Sequence, residues 1–190
     1  MHRILIAISS FLFLAAVANA QVPMGGNVFV GYSYLGGDFN SGGRTNLNGW
    51  NASLEGKMFP FIGIVADASA DYGSQSIPTG ACTGVIGQPC TSTASLNINM
   101  HNYLFGPRVS ISVSRFRPFA EALFGFSRFH QSNSSFSSSD TSFDTAFGGG
   151  LDYRVFGPAS WRFEGDALRT RLFGGTQNNF RLSTGLVLHF

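Results

Sequence analysis

Residues 179–190 read Asn-Phe-Arg-Leu-Ser-Thr-Gly-Leu-Val-Leu-His-Phe, and the spacing inside this stretch decides the fold. Phe180, Leu182, Leu186, Leu188 and Phe190 occupy one alternate set of positions, while Arg181, Ser183, Gly185 and His189 occupy the other. A two-residue period belongs to an extended strand with one apolar and one polar face. The same period recurs upstream in Asn27–Tyr34, Trp50–Lys57, Ile62–Tyr72, Ser95–Ile111, Arg117–Phe129, Ser142–Arg154 and Trp161–Thr170. Amphipathic helix spacing is not sustained anywhere in the chain after residue 20. The segment from Ser95 to Ile111 changes phase midway: Leu96, Ile98 and Met100 sit on one set, and Tyr103, Phe105, Val109 and Ile111 on the other. A bulge near Asn102 would absorb that shift.

The joints between these eight segments alternate in length. Gly36–Asn46, Gly73–Ala94, His130–Thr141 and Arg171–Asn178 are long and rich in Gly or Ser, whereas Met58–Phe61, Ser112–Phe116 and Val155–Ser160 are tight. Long loops at one end and short turns at the other, with an even strand number, are the asymmetry of a bacterial outer-membrane barrel. The predicted class is all-β, an eight-stranded antiparallel up-and-down transmembrane β-barrel.

Composition agrees. Of 190 residues only 12% are charged, while Gly numbers 24 and Phe 20, which disfavours a disordered chain, a coiled coil and an ordinary cytosolic enzyme. Twelve Lys and Arg against ten Asp and Glu give no concentrated basic face, so no nucleic-acid partner is expected. The four His and two Cys show no metal-ligand spacing, and no cofactor is expected. The N-terminus has the shape of a cleavable signal peptide: Arg3 precedes an apolar run from Ile4 to Val17, and Ala18-Asn19-Ala20 fits the cleavage pattern. Residues 1–20 are therefore read as a signal peptide and 21–190 as one barrel domain.

Alternation alone does not say which face is inside, and a soluble lipocalin-like barrel has the same period. Two features favour the membrane. Aromatic residues recur near segment ends, as at Tyr32, Tyr34, Trp50, Tyr72, Tyr103, Tyr153 and Trp161, where interfacial girdles would place them. Lys57 is the sole lysine, whereas a soluble surface is usually rich in both signs of charge.

Four stretches carry a resemblance to a known family: Gly106-Pro107-Arg108, Pro118-Phe119-Ala120-Glu121, Gly148-Gly149-Gly150-Leu151-Asp152-Tyr153, and Asn178 to Gly185 ahead of Phe190. In their order and spacing the chain resembles the OmpA-like eight-stranded outer-membrane β-barrel proteins, closest to their porin-like, loop-rich members, over the barrel domain only. The resemblance implies the fold and a place in the bacterial cell outer membrane. It also implies that Phe190 is read by the barrel assembly machinery as an assembly signal. Without a C-terminal peptidoglycan-binding domain, a wall-tethering role does not carry over.

On the membrane reading the polar set lines the lumen. Glu55, Lys57, Asp67, Asp71, Arg108, Glu121, Asp144, Asp152, Arg154, Arg162, Glu164, Asp166 and Arg181 would then form an inward network near charge balance. Charges buried together must pair, so the network is expected to be structural, with an ion gate as its functional alternative. Cys82 and Cys90 share the longest outer loop in an oxidising compartment and are expected to form a disulfide. His130-Gln131-Ser132-Asn133 looks like the His-x-Ser-Asn of outer-membrane lipid A deacylases, with Asp144 as a candidate to orient the base. Gly148 to Gly150 lies mid-strand with no helix after it, so it reads as close packing or bending of the wall, not as a phosphate cradle.

The functional expectation is a non-enzymatic outer-membrane barrel with a structural envelope role and surface-exposed loops. The alternatives are a narrow porin-like channel for ions or small solutes and a lipid A-modifying hydrolase. Outer-membrane lipid and lipopolysaccharide, the assembly machinery and an unidentified surface ligand at the loops are the expected partners.

Overall fold

The computed structural model describes residues 25–37, 45–78, 93–132, 137–172 and 175–190. Eight strands follow in chain order: β1 (Gly26–Gly37), β2 (Thr45–Lys57), β3 (Ile62–Pro78), β4 (Thr93–Ser110), β5 (Phe116–Ser132), β6 (Ser137–Phe156), β7 (Ala159–Leu172) and β8 (Gly175–His189). Each pairs antiparallel with its sequence neighbours, and β8 pairs with β1, closing the barrel. At the seam, Gly26 and Phe190 exchange backbone hydrogen bonds of 2.8 and 3.0 Å. Closure leaves no strand edge with unpaired N–H and C=O groups, which hydrocarbon does not tolerate.

The registers fix how the barrel is wound. Stepping across the ladder from Ser110 through Phe119, Gly150, Glu164, Ser183, Ser33, Gly49 and Asp71 returns to β4 at Met100, ten residues from the start. Eight strands staggered this far tilt by about 40° from the barrel axis. Lumen residues far apart in sequence height are thereby brought to one level.

Outward positions settle which solvent the barrel faces. Val30, Tyr32, Leu54, Tyr103, Phe105, Phe126, Phe147, Phe163, Leu186 and Leu188 are all exposed, in a continuous belt around the wall. On β5 the belt runs from Phe116 to Phe126, which at this tilt is about 25 Å tall, the height of an outer-membrane hydrocarbon layer. A water-facing surface does not carry an apolar area of that extent, so lipid covers it.

Most strands are longer than the alternating pattern predicts. β3 reaches Pro78 instead of Tyr72, β5 reaches Ser132 instead of Phe129, and β6 begins at Ser137 instead of Ser142. The added residues are mainly Ser, Gly, Asn and Gln, beyond the hydrocarbon on the long-loop side. In these three strands both faces are largely polar there, so no alternation marks them although the backbone ladder continues, whereas the extensions of β1 and β2 carry the inward Leu35 and Leu47.

The bulge expected near Asn102 is absent. Pairing of β4 with β3 holds one register from Pro78↔Thr93 to Ile62↔Val109, and the β4–β5 pairs keep one register from Asn97↔Ser132 to Ser110↔Phe119. Ile98, Met100, Asn102, Leu104 and Arg108 all point inward in a single phase. The apparent slip in the sequence is a change in what fills the lumen, from charge to hydrocarbon, and not a change in backbone phase. The register irregularity of this sheet lies instead at Arg154/Phe156, beside the β6–β7 turn, where Gly157 has φ +52°.

Candidate functional site

The lumen has two storeys. Its outer part is apolar: Leu35, Leu47, Ile98, Met100, Phe129, Ala146 and Leu168 are buried inward and pack as one cluster that extends down to Leu104, Leu123 and Val65. The sequence reading assigned no such layer. The alternation of β1 and β2 does place Leu35 and Leu47 inward, and continued phase on β4 would have found Ile98 and Met100.

Below this layer the lumen is charged. Arg181 on β8 donates to Asp67 Oδ1 on β3 at 2.7 Å and to Asp166 Oδ2 on β7 at 3.0 and 2.8 Å, so it crosses the barrel. Arg108 on β4 donates to Glu121 at 2.6 Å, to Glu164 at 3.2 Å and to Glu55 at 3.4 Å. Arg162 holds Asp152 in a two-pronged pair at 2.6 and 2.9 Å. The guanidiniums of Arg108 and Arg162 lie 4.2 and 4.6 Å from the centre of the Phe119 ring, which packs between them as a cation–π partner. Asn51 donates to Asp67 at 2.7 Å, and Ser127 bridges Asn102 Oδ1, at 2.8 Å, and Asp144.

The glycine triplet makes room for this packing. A Cβ at Gly148 would stand 1.9 Å from Asp166 Oδ1, and one at Gly150 would stand 2.7 Å from the edge of the Phe119 ring. The wall is bare there because the lumen contents lie against it.

Of the charges read as inward, Glu55, Asp67, Asp71, Arg108, Glu121, Asp144, Asp152, Arg162, Glu164, Asp166 and Arg181 are buried inside the barrel. Two are not. Arg154 is exposed at the short-turn rim, and Lys57 reaches only to Pro60 O at 3.3 Å, because both sit where the strands end and water begins. Arg117 is the residue that the reading missed. It donates to Glu55 at 2.7 Å and to Ser110 Oγ at 2.9 Å, and its Nη1 lies 3.2 Å from His189 Nδ1. It opens its segment, ahead of the residues whose alternation was assigned, although the phase of Glu121 extends to it.

The described lumen therefore holds eight buried carboxylates, Glu55, Asp67, Asp71, Glu121, Asp144, Asp152, Glu164 and Asp166, against four guanidiniums, Arg108, Arg117, Arg162 and Arg181. This is a two-to-one excess of acid, not the near balance expected. Carboxylate oxygens of Glu121, Glu164 and Asp166 lie within 4.8 Å of one another. Like charges this close are held by the arginines that face them.

The hydrolase constellation does not assemble. His130 and Ser132 lie on β5, on the outward alternate set, while Asp144 is buried in the lumen opposite Gly125, five residues from His130 along the strand. Cys82 and Cys90 and the signal segment 1–20 lie outside the described residues. Phe190 is exposed, with the edge of its ring against Gly26 at the seam.

No curated protein is similar to the chain in sequence at a significant level. Solved structures share its fold at low identity. Ail, the attachment invasion locus protein of Yersinia pestis, in complex with the heparin analogue sucrose octasulfate, aligns with a TM-score of 0.59 at 14% identity, over 88% of this chain and 100% of that one. Neisserial surface protein A gives 0.61 at 11% identity, over 87% and 97%. The N-terminal β-barrel domain of Pseudomonas aeruginosa OprF gives 0.50 at 12% identity, over 88% and 100%. The family model described as the outer membrane protein beta-barrel domain matches residues 4–190. A match of that extent takes in all eight strands and the belt around them: this chain belongs to the outer membrane protein beta-barrel domain family and resides in the bacterial outer membrane.

Proposed function

We propose that this protein is a non-conducting, non-enzymatic barrel that serves envelope structure and carries four connecting segments on its outer rim for contact with the exterior. The observation that carries this reading is the packed lumen. Arg108, Arg162 and Arg181 are fully buried and tied across the barrel to several strands, and an apolar layer lies above them. An ion would have to break buried pairs and then cross hydrocarbon, two costs of several kcal/mol each. Placement of His130 and Ser132 on the outer face, with Asp144 in the lumen, supports a non-enzymatic role. Phe190, exposed beside the seam, is the proposed signal for the barrel assembly machinery.

The test is reconstitution of refolded protein in a planar bilayer. No stepwise conductance above the lipid background is expected; discrete openings would favour the narrow channel. The same sample incubated with lipid A should leave its acyl chains intact by mass spectrometry.

A further inference from the structure

The outer surface changes character where the apolar belt stops. Tyr103 on β4 faces Phe126 on β5 at the top of the belt, and the next outward pairs are His101 with Arg128 and Asn99 with His130. These side chains, with Tyr103 below them, line a cleft of about 390 Å³. Arg128 is exposed, and His101 is held edge-on against the Tyr72 ring, 5.9 Å between centres. No Asp or Glu lines this cleft. Every described Asp and Glu falls on the lumen-facing alternation, Asp140 half-buried at the rim and the others inside, whereas His101, Arg128 and His130 stand on the outward set at the headgroup level.

Directly beneath, and sharing Tyr103, an apolar groove of about 490 Å³ runs down the lipid face. Ala66 and Ala68 form its floor, and Leu54, Phe105 and Phe126 stand as its walls. Small side chains flanked by large ones leave a channel in the lipid-covered surface, and hydrocarbon must fill it. A cationic, donor-rich cleft at the membrane boundary that opens onto an acyl-lined groove matches one amphiphile, a phosphorylated and acylated glycolipid of the outer leaflet.

We propose that this face binds one lipopolysaccharide molecule, with a lipid A phosphate held by Arg128, His101 and His130 and one acyl chain lying in the groove below Tyr103. The site deepens the envelope role proposed above, and the two fail separately, because conductance would overturn the closed lumen while leaving lipid binding untouched.

The test uses the refolded full chain in detergent micelles, titrated by calorimetry with bisphosphorylated lipid A, fully dephosphorylated lipid A, phosphatidylglycerol and inorganic phosphate. Bisphosphorylated lipid A should bind at least tenfold tighter than the dephosphorylated form. Arg128→Gln with His101→Gln should remove most of that difference, Arg128→Lys should keep much of it, and Ala68→Phe should weaken both lipid A forms. Arg115→Gln, at the opposite rim, should change nothing. A heat-modifiable gel shift checks that each variant is folded. Equal affinity for the two lipid A forms, or no change in the double variant, would overturn the site. Phosphatidylglycerol binding as tightly as lipid A would overturn its assignment to lipopolysaccharide, and so would competition by inorganic phosphate at equal concentration.

Discussion

Arg181 shows how much a single side chain does inside this barrel. Its guanidinium joins β8 to Asp67 on β3 and Asp166 on β7, and it is wholly buried, so its removal leaves two carboxylates facing each other without a counter-charge. Arg181→Met should destabilise the barrel by about 3–5 kcal/mol, read as a lowered urea midpoint in lipid vesicles by fluorescence of Trp50 and Trp161. Asp71 is the contrast. It is equally buried but makes no salt bridge among the described residues, so Asp71→Asn removes a desolvated charge without orphaning a partner. Its cost should stay below about 1 kcal/mol, and an equal loss from both variants would count against an arginine-held lumen. The excess of acid changes what Glu121→Ala should do. Near balance predicts an unpaired arginine and a large loss, but Arg108 keeps Glu55 and Glu164 as partners, so the loss should fall short of that for Arg181→Met.

β4 is the element where sequence and structure part. Its apolar residues change alternate set near Asn102, and hydrophobicity alone reads this as a backbone slip. The ladder runs through without one, since Ile98 and Met100 belong to the apolar storey of the lumen and not to the lipid face. The two readings predict different outcomes for Met100→Asp. With Met100 inward and fully buried, the variant places an unpaired carboxylate in packed hydrocarbon and should lose at least about 3 kcal/mol or fail to refold. With Met100 outward, near the end of the belt, the same change should cost about 1 kcal/mol or less. Urea midpoints of refolded protein decide between them. The polar extensions of β3, β5 and β6 were illegible for a related reason: alternation records a difference in solvent between two faces, and beyond the hydrocarbon there is none.

At the scale of the whole molecule, closure depends on the seam between β1 and β8. Phe190 adds two backbone hydrogen bonds to Gly26 at the end of a ladder that already pairs Asn27 to Gly36 with His189 to Phe180. Deleting Phe190 should therefore lower the thermal midpoint of refolded protein by only a few degrees, the effect of about 1 kcal/mol on a domain of this size. If Phe190 is the assembly signal proposed above, membrane-fraction yield in cells should fall severalfold, because the signal acts before the barrel exists. Equal yields for the intact and truncated chains would sink the assembly-signal proposal.

Eight strands, their order and the outward apolar belt were legible in the sequence because a strand in a two-solvent environment writes its period directly into the residue types. Phe180, Leu182, Leu186 and Leu188 against Arg181 and Ser183 is such a record. The same period put Glu55, Asp67, Arg108 and Arg162 on one face, and the aromatic girdles and the single lysine, Lys57, turned that face inward. Partnership did not. A stagger of ten residues tilts the strands and brings Arg181 level with Asp67, 114 positions away, and Arg108 level with Glu164. It also decided that Arg117 enters the network while Arg154 leaves it, that the lumen is acidic on balance, and that the outward base gathers beside an acyl-sized groove. Period is local and survives in one dimension, whereas which charges meet depends on closure of the sheet, and only the closed barrel fixes that.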